Sequence, residues 1–223
     1  MKNLFITLML VLISGMCSAQ EGQALYDHAS KAVWRLVDVD AHGSVTGTGT
    51  AFAVMSDGEA FLVTARHVAE GADSLLARVM VRNTLNDQEQ SLTVCIPADC
   101  WVFHPEDSTN ERWYVDVAVC YMPSPMGFAT KVFAPSALEL RGSPSVLEEV
   151  IVAGFPVGSN GTFLISGLEM EHQLPLARSG IVSCIAGETL PMLLPGSTQA
   201  KRLSTTTMML DLDALGGYSG SPV

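Results

Sequence analysis

The fold class is decided by residues 50–64, whose sequence is TAFAVMSDGEAFLVT. A run of mostly apolar residues, 50–55, is followed by the polar segment 56–59 and then by a second apolar run, 60–64. Short apolar runs that contain Val and Phe and are separated by a turn with Asp-Gly are typical of β-strands. The stretch therefore predicts a strand, a turn and a second strand.

The same pattern extends in both directions along the chain. A helical period is sustained nowhere, and only residues 21–31 have the composition of a short N-terminal helix. A Gly- and Thr-rich turn is predicted over 43–49. Further strands are predicted over 32–37, 75–82, 90–95, 114–122, 149–155, 162–166, 180–186 and 203–210. Many short strands with turn residues between them predict an all-β sandwich or barrel.

Composition excludes several classes of protein. Of the 223 residues, 48% are hydrophobic and 16% charged, so the chain has ample material for a core and is not disordered. The chain has 12 Lys and Arg and 23 Asp and Glu, so its formal net charge is -11. It has no cluster of basic residues, which argues against a nucleic-acid partner. No nucleotide-binding Gly-rich loop and no metal-ligand spacing occurs. We therefore expect no cofactor and no metal.

The first 19 residues have the organisation of a secretory signal peptide. Lys2 precedes the apolar run 4–13, and small residues follow up to Ala19, after which we expect cleavage. A run of this length is short for a membrane span. The alternative is a lipobox with Cys17 as the lipidated residue, but Met16 is unfavourable before that cysteine. The prediction is a secreted or periplasmic protein.

Export would place the cysteines in an oxidising compartment, where they can pair. Four cysteines follow the signal peptide, and three pairings of them are possible. Cys95 and Cys100 flank a turn-like stretch and could clip a hairpin. Cys120 and Cys184 lie in apolar, strand-like runs, and for these two we favour free thiols that pack as small hydrophobic residues.

The mature chain, 20–223, divides into two β units. The first covers about 32–122 and the second about 149–223. Between them, residues 123–148 are rich in Pro and have the composition of a crossing linker.

Three segments carry residues that suit catalysis. His67 follows the second strand quoted above, Asp116 is embedded in an apolar run, and Ser219 lies among glycines. A carboxylate in an apolar run needs a partner, and an imidazole N–H is a suitable one. Glycines around a serine permit a turn that exposes Oγ and aims backbone N–H groups at one point, as an oxyanion hole requires. Two of these residues fall in the first β unit and one in the second, which predicts a cleft between the units.

Several short segments, taken in order, resemble the chymotrypsin/trypsin-like serine peptidase clan, particularly its bacterial secreted and HtrA-like branches. Residues 64–67 are similar to Thr-Ala-Ala-His, and residues 116–119 to Asp-Ile-Ala-Leu. Residues 217–222 are similar to Gly-Asn/Asp-Ser-Gly-Gly-Pro. Before the histidine, residues 47–52 resemble Gly-Ser-Gly-Phe, and 152–156 resemble the Gly-Tyr/Asn-Pro segment of the second barrel. The resemblance covers about residues 30–223.

The resemblance implies two antiparallel six-stranded β-barrels and a serine endopeptidase acting on protein or peptide substrates. It implies a catalytic triad of His67, Asp116 and Ser219. The backbone N–H groups of Gly217 and Ser219 would form the oxyanion hole. Asp213 occupies the place of the specificity-pocket carboxylate of trypsin-type enzymes, which would favour Lys or Arg at the cleavage site.

The sequence given stops at Val223, four residues after Ser219. Members of the family have further strands there, so we expect the second barrel to be incomplete and this chain to be unstable and weakly active as it stands. A non-catalytic, inactive trypsin-like protein that holds peptides in the cleft is the alternative function. A lipase of the α/β-hydrolase type is excluded by the order of the three residues.

Overall fold

The structure is a computed structural model, and most of the residues that it describes lie in β-strands. It describes residues 23–24, 26–104, 113–122, 128–129, 131–134, 145–156, 163–165, 168–170, 175–186, 191–193, 200–203, 207–212 and 219–222. The predicted all-β class is confirmed. The predicted N-terminal helix is also present: residues 23–24 and 26–32 are helical and are named α1. None of the helices within the described residues is long and apolar enough to cross a membrane.

The first half of the chain forms one large antiparallel sheet. Its strands follow the order β5-β4-β1-β2-β3-β8-β6, and β9 pairs with β4. The strands are β1 (Val33–Val39), β2 (Val45–Ser56), β3 (Glu59–Thr64), β4 (Ser74–Asn83), β5 (Glu89–Pro97), β6 (Trp101–Phe103), β8 (Ala118–Tyr121) and β9 (Phe128–Ala129). The strands β2 and β3 are the two predicted from residues 50–64, and they pair from Ala51 with Thr64 to Ser56 with Glu59.

The two ends of this sheet belong to one bent segment of chain. A 3-10 turn, Ala98–Cys100, is all that separates β5 from β6. Strand β5 pairs with β4 along nine residue pairs, and strand β6 pairs with β8. Since the same segment contacts both edges, the sheet curls round on itself, which reduces the number of unpaired strand edges.

The second half of the chain contributes three smaller sheets. A three-stranded antiparallel sheet has the order β10-β13-β16, β11 pairs with β12, and β15 pairs with β14 and with β7 from the first half. The β15–β7 pairing is parallel, unlike the other strand pairs. These strands are β7 (Trp113–Tyr114), β10 (Glu149–Gly154), β11 (Phe163–Ile165), β12 (Leu168–Met170), β13 (Leu176–Ala186), β14 (Pro191–Leu193), β15 (Ala200–Leu203) and β16 (Thr207–Asp211).

Two apolar clusters hold the strands together. The larger fills the curled sheet of the first half and includes Trp34, Leu36 and Leu62, each at most 1% exposed. The smaller joins Ala29 of α1 and Val33 of β1 to Ala153 and Phe155 at the end of β10. Burial of apolar surface drives both contacts, and the second cluster fixes the end of β10 against the first half.

Three sequence-based expectations differ from the structure. The turn predicted over 43–49 is shorter, because β2 already begins at Val45. The strand predicted over 114–122 is interrupted, because residues 115–117 lie outside β7 and β8. Part of the segment expected to be a linker pairs with the first half, through β9 and through Phe133, whose backbone bonds to Ala53 and Met55.

Candidate active site

His67 lies on a single helical turn that directly follows β3. This helix, α2, covers Arg66–Ala69, so His67 follows the strand as the sequence predicted, on a helical turn that the sequence did not predict. Arg66 fixes the turn on two sides: its guanidinium bonds to Glu70 at 2.7 Å and stands 4.9 Å from the centre of the Phe103 ring. A cation over an aromatic face and an i,i+4 ion pair are each modestly stabilising. Together they fix the helical turn that carries the imidazole at the end of β3.

Asp116 reaches His67 because of the strand register. Thr64 pairs with Ala118 in the β3–β8 ladder, so residues just before Ala118 lie beside residues just after Thr64. Asp116 Oδ2 lies 2.7 Å from His67 Nδ1, and its Oδ1 accepts a hydrogen bond from the His67 backbone N–H at 3.0 Å. One carboxylate thereby fixes both the ring and the backbone of the histidine.

The carboxylate also changes the acidity of the imidazole. The hydrogen bond that the imidazole donates to Asp116 is the main cause that raises the pKa of His67 above its ordinary 6.5, and the negative charge of Asp116 adds to it; partial burial opposes the rise. A raised pKa makes the imidazole a stronger base, and the bond to Nδ1 leaves Nε2 of the neutral ring as the proton acceptor. This is the geometry of an oriented general base.

Ser219 lies in a turn that packs against β2 and against the junction of β3 with α2. Its carbonyl accepts a hydrogen bond from the Thr50 backbone N–H at 2.9 Å. The next residue, Gly220, has a φ of +84°, and a Cβ there would collide with the Thr50 carbonyl, the Thr64 hydroxyl and the Ala65 backbone nitrogen. Only glycine suits that conformation and that close approach, so the glycine allows the serine turn to sit on β2 and β3.

His67 and Ser219 both line a cavity of about 370 Å³. It is lined on one side by β1 and β2 and on the other by α2 and the residues after it. Gly49 belongs to this wall, and a Cβ on it would lie 2.5 Å from Val68. The other lining residues are Leu36, Asp38, Gly47, Thr48, Glu70, Gly71, Ala72 and Leu75.

The remaining predicted site residues are not among those that the structure describes. Gly217 and Asp213 fall outside the described residues. Across the part of the chain that is described, no group of three or more His, Cys, Asp or Glu side chains could hold a metal ion. Sequence reasoning missed Thr50 and Arg66; for Arg66 the signal was the four-residue spacing to Glu70.

The structure shows no disulfide between Cys95 and Cys100. Both cysteines are free, as is Cys120. The segment between Cys95 and Cys100 is not a hairpin turn but the bend that leads from β5 into β6, so the two cysteines do not face each other across a strand pair. Cys184 lies in β13.

Comparison with known proteins identifies the family. The family model for the trypsin-like peptidase domain matches residues 49–223. The chain therefore belongs to the trypsin-like peptidase domain family, whose members are serine proteases. No curated protein matches the chain.

Solved structures of low sequence identity were also found. The active form of the Rv3671c protease of M. tuberculosis is 17% identical, with a TM-score of 0.47, 89% of this chain covered and 69% of that one. The serine endoprotease of Yersinia pestis is 15% identical, with a TM-score of 0.46 and coverages of 87% and 50%. The HtrA-type protease AlgW with a tripeptide is 16% identical, with a TM-score of 0.47 and coverages of 87% and 47%. The chain thus spans about half the length of the latter two.

Proposed function

We propose that the protein is an exported serine endopeptidase that cleaves peptide bonds through His67, Asp116 and Ser219. The observation that carries this proposal is the pair of hydrogen bonds that Asp116 accepts from His67, beside a cavity that Ser219 also lines. Two bonds to one carboxylate fix the orientation of the histidine. A general base that takes a proton from a serine hydroxyl requires such a fixed orientation, whereas an ordinary surface histidine does not. Membership of a serine protease family supports the same conclusion.

The chemistry would follow the acyl-enzyme route. Ser219 Oγ attacks the carbonyl carbon of the scissile peptide bond, and His67 Nε2 takes the hydroxyl proton. The same proton passes to the leaving amine as the C–N bond breaks and the serine ester forms. Water then attacks the ester, with His67 again taking and returning a proton. Throughout, Asp116 stabilises the imidazolium that each transfer creates.

Two further parts of the site complete the proposal. The backbone N–H groups of Gly217 and Ser219 would hold the negative oxygen of the tetrahedral intermediate, which is often the largest single contribution to catalysis. Asp213 would attract a Lys or Arg side chain of the substrate. Export rests on the signal-peptide pattern of residues 1–19.

Peptide hydrolysis by purified protein tests the proposal. We expect Ser219→Ala and His67→Ala each to reduce kcat by roughly 10⁴-fold or more, with the fold retained by circular dichroism. His42→Ala, which removes an exposed histidine of the β1–β2 turn, is the matched control and should retain full activity. The alternative, a protein that only holds peptides in its cleft, predicts peptide binding with no hydrolysis in any variant, and that result would reject the enzyme.

A further inference from the structure

A second cavity, of about 310 Å³, lies at the bend between β5 and β6. Apolar side chains form most of its wall, among them Trp34, Leu62 and Met122. Three cysteines also line it: Cys95, Cys100 and Cys120. None of the chemistry proposed for the triad uses this cavity.

Two of these thiols, Cys100 and Cys120, are neighbours. Trp101 in β6 pairs with Cys120 in β8, so Cys100 stands one residue from a direct cross-strand position. The Cys100 side chain lies within hydrogen-bonding reach of the Cys120 thiol. Because Cys100 lies in the 3-10 turn Ala98–Cys100, its side chain does not follow the face alternation of β6 and can approach Cys120 as a disulfide requires. Cys95 instead pairs with Leu76 of β4.

We propose that Cys100 and Cys120 are a disulfide-forming pair that fastens the β5–β6 bend to β8. The oxidant would be a small-molecule or protein disulfide. The exposed Cys100 attacks it as thiolate and forms a mixed disulfide. The Cys120 thiolate then attacks the Cys100 sulfur and expels the second thiol of the oxidant. Two protein thiols lose two electrons and two protons, and one oxidant disulfide becomes two thiols.

The two thiols have different parts in this reaction. Cys100 is exposed and Cys120 is buried. Burial, with a smaller contribution from the neighbouring Cys100, raises the pKa of Cys120 to about 11. The buried thiol is therefore a weak nucleophile near neutral pH, and its attack on the mixed disulfide should limit the rate and accelerate as the pH rises.

Peptide mapping of the folded, full chain after treatment with oxidised glutathione tests the pairing. We expect a Cys100–Cys120 linked peptide in the unaltered protein and in Cys95→Ser, and none in Cys100→Ser. Reduction should lower Tm by roughly 5 to 10 °C in the first two and leave the third unchanged. The proposal is overturned if Cys100 and Cys120 remain separately modified, or if either links to another cysteine.

A different observation carries a second inference, which concerns Thr50 and rests on the proposed function. This residue is fully buried in β2. Its backbone N–H donates to the Ser219 carbonyl at 2.9 Å, and its carbonyl accepts from the Thr64 hydroxyl at 2.6 Å. Its own Oγ1 accepts a hydrogen bond from the Phe155 N–H at 3.0 Å. Thr50 thereby joins the serine turn, β3 and the end of β10.

We infer that Thr50 is a positioning residue for the nucleophile. Without its hydroxyl, the buried Phe155 N–H loses its acceptor, which is unfavourable in the absence of water. The end of β10 would then pack less firmly against β2 at Thr50, the residue whose backbone N–H bonds to the Ser219 carbonyl. The expected result is a lower rate of attack by Ser219 with little change in substrate affinity.

The variants Thr50→Val, which keeps the shape but not the acceptor, and Thr50→Ser, which keeps the acceptor, separate the possibilities. We expect the first to reduce kcat by roughly 10-fold to 100-fold at unchanged KM and to speed hydrogen exchange of the Phe155 amide; the second should restore both. An active protein in which Thr50→Val has normal kcat overturns the inference alone. If the unaltered protein has no activity, the proposed function is overturned. In that case hydrogen exchange still tests the positioning role: that role is overturned as well if the Phe155 and Thr50 amides exchange at the same rate in Thr50→Val as in the unaltered protein.

Discussion

At the scale of single residues, the site depends on one carboxylate. Asp116 is about a quarter exposed and His67 about a half, at 26% and 46% of their side chains. A surface ion pair of this exposure contributes little to stability. Its effect is instead on orientation and basicity, because the two oxygens of Asp116 bond to the ring and the backbone of the same histidine.

The raised pKa of His67 predicts how activity changes with pH. Since the general base must be neutral, kcat/KM should rise as the pH rises through a value above 6.5. In Asp116→Asn the raising contact is lost, so the pKa measured by NMR titration of His67 should fall, while kcat drops by roughly 10⁴-fold. Asp57→Asn removes a carboxylate from the exposed β2–β3 turn and is the control. An unchanged His67 titration in Asp116→Asn would contradict the assignment.

The same contact has a consequence for folding. A histidine with a raised pKa stabilises the folded chain fully below its unfolded pKa, and the contribution disappears as the pH rises through the folded value. We therefore expect Asp116→Asn to lower the Tm more in mildly acidic buffer, where Asp116 is still ionised, than in alkaline buffer. A difference of the opposite sign would contradict the direction of the shift.

The contact between Asp116 and a histidine was the part of the site that the sequence predicted best. An Asp in an apolar run needs a partner, and the structure supplies His67. Thr50 could not be predicted, because a Thr in a strand has no signature and its three partners come from distant parts of the chain. Asp213 and Gly217 remain predictions, since they lie outside the described residues.

At the scale of elements, the serine turn depends on Gly220. The backbone of Gly220 is in the left-handed region, which strains any residue with a side chain, and a side chain there would also collide with atoms of β2 and of the β3–α2 junction. Gly220→Ala should therefore lower kcat by at least roughly 100-fold, because a misplacement of about 1 Å is enough for that loss. Gly58→Ala, at a positive-φ glycine with open space around it, is the control for backbone strain alone. Equal activity of the two variants would show that the close approach is unimportant.

Element boundaries were less predictable than element type. Residues 43–49 were expected to be a turn, yet Gly47 and Gly49 lie inside β2, where pairing with β1 determines the conformation. Gly49 is required there because Val68 packs against it. The interruption of the strand before Ala118 likewise follows from Asp116 turning toward His67, a tertiary contact that local sequence does not encode.

At the scale of the whole molecule, the second half is anchored to the first by apolar contacts. Phe155 is 2% exposed and packs with Val33 and Ala29. Phe155→Ala should lower the free energy of unfolding by about 3–5 kcal/mol, from lost burial and the cavity left behind. Ile151→Ala, at an exposed position of β10, should change it little. Similar losses in both, measured by denaturant unfolding, would contradict the role given to this cluster.

The order of the motifs along the chain predicted the all-β trypsin-like fold. The sequence did not predict how the halves join, because the contacts of α1, β9 and Phe133 with distant strands carry no local signal. The parallel pairing of β15 with β7 is another contact of this kind.

The most direct test of the central claim is covalent labelling of the folded protein with a fluorophosphonate, followed by peptide mass spectrometry. The serine peptidase account predicts one modified residue, Ser219, with labelling abolished in Ser219→Ala and strongly slowed in His67→Ala. Absence of label on Ser219 in protein shown to be folded, or labelling at the same rate in His67→Ala, would contradict it.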